Sequence, residues 1–437
     1  MLFSLCSLYD IREYMKIKEL LIHHYKSVEE TVHFSAFRHI NIFIGPNNAG
    51  KTNILDGIEL LLNTHVDPLR FDDTDADLLV ELETAQTQCI RVTQKNGKKT
   101  YQVNGKLAGA QDVGENIAAQ MIRISSDATV DDFDFINDLK KFKEEFSKAY
   151  QFFIQNLSAY FPRDEINEDL FVSASVRMGV GFQRLFLMLF YIFHPSYSII
   201  LIDEPEIHLH PSVLKKLTKL LEDAKLNNQV FLTTHHAIFV QPYNLHHVYR
   251  VHRDRGGSTN VYSLDQSHHA LDKTRLVQEL NADNTQMFFA EQALIVEGVS
   301  DRIFMRGMID RFYSKAKDIK VVYAHGKSNV GIYMDLCSAF HLPCMVLLDK
   351  DALCGEPVEQ MRRFVRRGMS QSQKLNRLKV QGIYIFPNGG LEDNYPKKYQ
   401  KYTGTKPLNA LYAVNKITKQ EFLSPQMRYI REVIEAM

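Results

Sequence analysis

Gly45-Pro-Asn-Asn-Ala-Gly-Lys-Thr52 fits the spacing G-x-x-x-x-G-K-[ST], and its flanks decide how it is read. Before it, His39-Ile-Asn-Ile-Phe-Ile44 is an apolar run of strand length. After it, Asn53-Ile-Leu-Asp-Gly-Ile-Glu-Leu-Leu-Leu62 repeats apolar residues at helical spacing. Strand, glycine loop and helix are the parts a phosphate cradle needs. Backbone N–H groups at a helix N-terminus point at anionic oxygens, and the helix dipole favours the negative charge. The spacing predicts that Asn47, Asn48, Ala49 and Gly50 wrap the phosphates of a nucleotide. Lys51 is expected to reach the β- and γ-phosphates, and the Thr52 hydroxyl to hold Mg²⁺.

Working outward, 437 residues suggest two or three domains, with ample material for a core. Lys and Arg balance Asp and Glu at 52 each, so no global field draws the chain to nucleic acid or membrane. Any nucleic-acid contact has to come from local patches. The cysteines Cys6, Cys89, Cys337, Cys344 and Cys354 form no C-x-x-C pair or zinc spacing, and read as reduced thiols of a cytoplasmic protein. No apolar run has the length of a membrane span. Residues 1–14 are apolar at the start but lack a basic n-region and a small-residue cleavage site. They read as a non-native extension or a short flexible arm, with Met15-Lys-Ile-Lys-Glu-Leu-Leu-Ile22 as the first strand.

Along the chain, Cys89-Ile-Arg-Val-Thr93 and Thr100-Tyr-Gln-Val103 alternate, and Lys95-Asn-Gly-Lys98 between them is a hairpin turn. A small antiparallel sheet beside the nucleotide core is expected. Residues 131–160, including Leu139-Lys-Lys-Phe-Lys-Glu-Glu-Phe146, have helical spacing. They read as an amphipathic surface helix, with a dimerisation arm as the alternative. Ser198-Ile-Ile-Leu-Ile-Asp-Glu-Pro205 is an apolar strand ending in two carboxylates, the Walker B pattern. Asp203 is placed to orient Mg²⁺ and Glu204 to polarise the attacking water. Val230-Phe-Leu-Thr-Thr-His235 is a further buried strand, ending in a histidine suited to sensing the γ-phosphate. His235 is favoured for that role over His236.

In this order, the phosphate loop, Ile199-Ile-Leu-Ile-Asp-Glu-Pro-Glu-Ile-His-Leu-His-Pro211 and Thr233-Thr-His235 resemble the ABC-type ATPase heads of the SMC and RecF kind. The resemblance implies ATP sandwiched between two heads, so a homodimer is the minimum assembly. Each head lends a serine–glycine signature loop to the other's nucleotide. The matching stretch is Ser175-Val-Arg-Met-Gly-Val-Gly-Phe-Gln-Arg184. It departs from the L-S-G-G form and leaves Ser175, Gly179 and Gly181 as the nucleotide-contacting candidates. Glu206, His208 and His210 are expected near the dimer interface.

After Asn281 the character changes. Ala293-Leu-Ile-Val296 is a buried strand ending in Glu297-Gly298, with Ser300 and Asp301 in the first turn of a helix. Cys344-Met-Val-Leu-Leu-Asp-Lys-Asp351 is a strand ending in a D-x-D pair, and Ile383-Tyr-Ile-Phe-Pro-Asn-Gly-Gly-Leu-Glu-Asp393 ends in two more carboxylates. Acidic groups at the C-terminal ends of parallel strands lie where α/β sheets build sites. Hard oxygen ligands suit Mg²⁺ or Mn²⁺, which relieve the mutual repulsion of the acids. Two ions about 4 Å apart serve phosphodiester hydrolysis.

Val296-Glu-Gly298 with Asp349-x-Asp351 resembles the TOPRIM domain. An ATPase head followed by TOPRIM, with Phe288-Phe-Ala-Glu291, Gly326-Lys-Ser-Asn-Val330 and Leu391-Glu-Asp393 in place, resembles the OLD (overcoming lysogenisation defect) nucleases. That resemblance implies one metal site at Glu297, Asp349 and Asp351. It implies a second at Asp301 and Glu392, with Asp393 open, and Lys406 as the assisting lysine. The run Arg362-Arg-Phe-Val-Arg-Arg367 is read as a helix on which Arg362 and Arg366 share one face and Arg363 and Arg367 another. That face is a DNA-backbone contact or a solvated surface. Lys397, Lys398 and Lys401 have the same standing.

The expected architecture is α/β. An ABC-type head with a mixed sheet occupies residues 15–275, with a helical insertion at about 127–165. A TOPRIM domain with a central parallel sheet occupies 280–437. The expected function is that of an ATP-regulated, metal-dependent DNA endonuclease in bacterial anti-phage defence, of the Gabija or retron-effector kind, acting beside a helicase or a reverse transcriptase. RNA as substrate stays open. The alternative is an ATP-gated scaffold that controls a partner, with TOPRIM as a binding module.

Overall fold

The computed structural model describes residues 14–64, 76–160, 179–222, 228–264, 280–281, 283–354, 359–362, 364–366, 368–400 and 404–437. The chain divides into two units, Met1–Val240 with His247–Val261, and Gln241–His246 with Tyr262–Met437. The N-terminal extension expected before Met15 lies outside the described residues, Tyr14 excepted.

In the first unit, β1 (Met15–His23) pairs antiparallel with β2 (Val32–Phe34). The strand β3 (Ile40–Ile44) belongs to a second sheet, and the helix α1 (Lys51–Leu62) follows it. The antiparallel sheet continues from β1 through β4 (Asp77–Thr84), β5 (Cys89–Lys95), β6 (Lys98–Val103) and β7 (Lys106–Ala108). Between β5 and β6, Asn96 and Gly97 hold φ of 50° and 71°, the mirror-image turn that matches the twist of a hairpin. After α2 (Ala110–Ala118), the second sheet collects β8 (Met121–Ile124), β9 (Ile199–Asp203), β10 (Gln229–Thr234), β11 (Val248–Arg253) and β12 (Thr259–Ser263) in the order β12-β11-β3-β10-β9-β8. From β11 to β8 every neighbour is parallel. Every residue of β3, β9 and β10 is buried, which is why these runs read as continuously apolar rather than alternating.

Helix α1 joins the two sheets. Its Ile54, Leu55, Ile58 and Leu61 share a core with Leu20, Leu78 and Val80 of the antiparallel sheet and with Leu201 and Phe231 of the parallel one. Each such side chain contributes roughly 1.5–3 kcal/mol of burial. The segment read as a surface helix is a pair, α3 (Phe135–Glu145) and α4 (Ser147–Leu157), packed on α5 (Val180–Phe193). Phe142 stands 5.7 Å from Phe153 and 5.5 Å from Phe190, ring to ring, and both Phe142 and Phe153 are fully buried. The helix α6 (Pro211–Leu221) follows β9.

The second unit is a four-stranded parallel sheet in the order β14-β13-β15-β16. Its strands are β13 (Gln292–Val296), β14 (Ile319–Tyr323), β15 (Cys344–Leu348) and β16 (Ile383–Ile385). The connections carry α7 (Val299–Phe312), α8 (Val330–Ala339), the single turn α9 (Glu359–Arg362) and α10 (Gln371–Val380). The chain ends in α11 (Lys406–Lys416), α12 (Lys419–Phe422) and α13 (Arg428–Glu435). A side chain at Gly307 of α7 would come within 2.3 Å of Val414 Cγ1, so the close approach of α7 and α11 requires glycine there.

The arginine helix expected over residues 362–367 is not formed. α9 stops at Arg362, Phe364 turns back through a bond from its N–H to Met361 O, and Gly368 adopts φ of 89° before α10 starts. Phe364 and Val380 of α10 line an apolar cavity, and the positive φ of Gly368 takes the chain out of a helical path. Arg362 and Arg366 therefore share no helical face, and Arg363 and Arg367 lie outside the described residues.

Candidate active sites

Three adjacent strands deliver the nucleotide groups to one edge of the sheet. β3 leads into the phosphate loop, β9 ends at Asp203 and β10 leads into His235. Gly45 is required, because a Cβ there would meet Val251 O at 2.1 Å. Gly50, at φ of 99°, ends the loop and caps α1. Asn47 through Asn53, Glu204, His235 and Arg253 line a cavity of about 590 Å³.

Lys51 is nearly buried and donates from Nζ to Gly45 O at 3.0 Å and Pro46 O at 2.8 Å. Burial lowers its pKa to about 8, with Glu204, Asp203 and Glu206 opposing the shift. The Thr52 hydroxyl donates to Asp203 Oδ1 at 3.3 Å, so hydroxyl and carboxylate face one point. That donor pair suits a hard divalent cation. Glu204, at φ of 48°, holds a backbone region sparsely used by residues other than glycine. Its Oε1 lies 3.0 Å from His235 Nε2. Burial and the nearby Lys51 hold His235 below its ordinary pKa. His236 instead turns its Nδ1 to the backbone N–H of Ile238, capping a short turn at 3.1 Å.

Glu206 accepts from the His235 backbone N–H at 2.6 Å, and His210 accepts from Ser212 N–H as the cap of α6. Gly179 caps α5, and Gly181 lets α5 approach the 204–210 loop, since a Cβ there would lie 2.2 Å from His208 O. Ser175 lies outside the described residues. Arg184, fully buried, is a residue whose role the sequence did not reveal. Its guanidinium donates to Glu204 O at 2.8 Å, to Asp203 O, and to Ser125 O at 3.2 Å, pinning the end of β9.

The second unit gathers its acids in the same manner. Glu297 follows β13, and Gly298 caps α7. Asp301 in the first turn accepts from Gly298 N–H at 2.9 Å. Burial, and then Asp349, raises the Asp301 pKa to about 7. Glu297 is also raised, by burial and then by Asp349 and Asp351, and its buried Oε2 has no partner among the described residues. Asp349 follows β15 and lies against Gly390, where a Cβ would come within 2.8 Å of Oδ2. Burial first, then Glu392 and Asp351, raise its pKa.

Glu392 stands on a turn after β16, with Lys406 Nζ 3.4 Å from its Oε1. Asp393 is used differently, its carboxylate closing the loop onto Gly390 N–H at 3.0 Å. Asp351 is exposed and paired with Lys327 at 2.8 Å. Among the described residues, no three acidic, histidine or cysteine side chains surround a single point as they are arranged. Asp301 and Asp351 take protein donors instead. The unpartnered Glu297 oxygen and the mutual upward shift of three carboxyls nevertheless fit a hard divalent cation, which would relieve both.

This fold and these two sites define a P-loop ATPase domain followed by a TOPRIM-type acidic centre. Residues 15–170 match the family model of the AAA ATPase domain. Residues 163–240 match that of an AAA domain described as putative AbiEii toxin, type IV TA system. Residues 288–351 match the model of the overcoming lysogenization defect protein-like TOPRIM domain. The chain thus joins an AAA-type ATPase domain to an OLD-like TOPRIM domain. It is 28% identical over 194 residues to the OLD nuclease of Thermus scotoductus, covering 42% of this chain and 36% of that one. It is 30% identical over 114 residues to the endonuclease GajA of Bacillus cereus, covering 26% of this chain and 19% of that one. With the Old nuclease of Escherichia phage P2 it shares 24% identity over 166 residues, 36% of this chain and 28% of that one. The chain therefore spans about a third or less of the length of these relatives.

Proposed function

We propose that the chain is an ATP-regulated, metal-dependent DNA endonuclease of OLD type. The observation that carries the reading is Glu297, a half-buried carboxylate whose buried Oε2 is unpartnered among the described residues, grouped with Asp301 and Asp349. Such a cluster costs folding free energy unless a cation serves it. Glu297, Asp349 and Asp351 would hold one Mg²⁺ or Mn²⁺, and Asp301 and Glu392 a second. The metal supplies charge for water activation and for the leaving oxygen. Lys406, held beside Glu392, is positioned to meet the scissile phosphate.

In the ATPase domain, Lys51 and Thr52 bind the phosphates and Mg²⁺, Asp203 orients the ion, and Glu204 with His235 aligns water at the γ-phosphate. The acting unit in this reading is a homodimer paired through the ATPase domains. Val180 and Phe182, about half exposed at the start of α5 beside Gly179 and Gly181, support that pairing. The names of the relatives, a nuclease and an endonuclease, support phosphodiester cleavage, and DNA as substrate and action in anti-phage defence belong to the proposal. The proposed site of action is the cytoplasm; no helix among the described residues is long and apolar enough to cross a membrane.

The test is cleavage of supercoiled and linear DNA with Mg²⁺ or Mn²⁺, run without nucleotide, with ATP and with a non-hydrolysable analogue. Metal-dependent nicking that is lost in Asp349→Ala is expected. Equal cleavage by that variant would refute the assignment.

A further inference from the structure

The hairpin β11–β12 is bolted to the phosphate loop. Thr259 N–H donates to Ser27 O at 2.7 Å, and its hydroxyl donates to Ala49 O at 2.9 Å. Ser27 and Thr259 hydroxyls are 2.8 Å apart, and Asn53 reaches Ser27 Oγ at 2.6 Å. Within β11, Val251 O packs directly on Gly45. The turn beyond Arg253 is locked by Asp254, whose Oδ1 accepts from Gly256 N–H at 2.8 Å and Ser258 N–H at 3.0 Å, and whose Oδ2 accepts from Asn260 at 3.2 Å. The carboxylate next to Arg253 is therefore occupied in shaping the turn. Arg253 itself is exposed, lines the nucleotide cavity, and has no hydrogen bond or ion pair among the described residues.

Sheet order says which part of the ligand it meets. β3 lies between β10 and β11. The groups suited to the γ-phosphate, Glu204 and His235, come from β9 and β10 on one side of the loop. A triphosphate with its γ end there runs across the loop toward β11, bringing its ribose and base to the side of Arg253. We propose that Arg253 is a nucleotide-positioning residue that clamps the nucleoside end of ATP, its planar guanidinium lying on the base. A guanidinium stacks on aromatic faces and stays charged at any working pH, which suits it to that contact. This inference rests on the nucleotide-binding reading of the phosphate loop.

Calorimetric titration of the full chain with a non-hydrolysable ATP analogue and, separately, with inorganic tripolyphosphate tests it. For Arg253→Gln, affinity for the analogue should fall on the order of tenfold while that for tripolyphosphate is unchanged. Lys51→Ala should weaken both. The proposal is overturned if Arg253→Gln binds the analogue as the unaltered chain does, or if tripolyphosphate affinity falls in parallel. Should the unaltered chain bind neither ligand, the nucleotide reading itself is refuted. Arg253 is exposed, so its substitution should leave the melting temperature unchanged, separating loss of contact from loss of fold.

Discussion

Lys327 holds Asp351 and touches Glu297 at the same time. Its Nζ lies 2.8 Å from Asp351 Oδ2, and its backbone N–H donates to the Glu297 carboxyl. The loop that brings it there is set by Gly326, at φ of 114°, whose own N–H donates to Glu297 O at 2.9 Å. Lys327 thus supplies a positive charge where the proposed metal would supply one. Lys327→Gln should tighten Mn²⁺ binding about two- to fivefold, the scale of an exposed ion pair. Paramagnetic titration of free Mn²⁺ checks this, and unchanged or weaker binding would show that lysine and metal do not compete.

Asp301 makes stability depend on pH. Its pKa rises from the ordinary 3.8 to about 7 in the fold, so between these values the folded chain binds more protons than the unfolded one. Stability from this group is therefore full at low pH and is lost as pH climbs through that window. The melting temperature should drop between pH 5 and pH 8. Mg²⁺ should restore more of it at pH 8 than at pH 5, and Asp301→Asn should flatten the profile. A melting temperature as sensitive to pH in the variant as in the unaltered chain would contradict this.

Lys51 is shifted downward rather than upward, yet its contribution to binding is also lost as pH rises. Without nucleotide its pKa is lowered to about 8, and a bound phosphate favours the charged form. Binding above pH 8 must take up a proton, so ATP affinity should fall by up to about tenfold per pH unit there. Titrations at pH 7 and pH 9 check it, with Lys51→Ala showing no such slope.

Arg184 links α5 to the end of β9 through Asp203 O and Glu204 O, and to the end of β8 through Ser125 O. Arg184→Met leaves those buried acceptors unsatisfied, at about 1–3 kcal/mol each. We expect a lowered melting temperature and ATP hydrolysis reduced at least tenfold. Arg184→Lys should recover part of the stability. Unaltered hydrolysis in Arg184→Met would show that the position of Asp203 and Glu204 does not depend on this anchor.

Much of this architecture was legible because its signals are local. The phosphate loop is eight consecutive residues with a strand before it and a helix after it, and each carboxylate pair closes an apolar run. The turn at Asn96-Gly97 is equally local, since only two residues must adopt positive φ. The arginine run shows the limit. Its spacing suits a helix, yet the helix ends at Arg362 and Gly368 turns the chain at positive φ before α10 starts.

Residue type and spacing alone placed the phosphate-loop motif, the strands that end in carboxylates, and the acids at the C-terminal strand ends of the two parallel-stranded sheets. Those features follow from residue type and spacing of two or four along one segment. Chain folding in three dimensions, and not local pattern, put Arg253 in the lining of the phosphate-loop cavity, Arg184 against the end of β9, and Lys327 beside Asp351. Each depends on segments distant in the chain being brought within a few ångströms, a juxtaposition set by sheet order and side-chain packing, for which no local pattern exists.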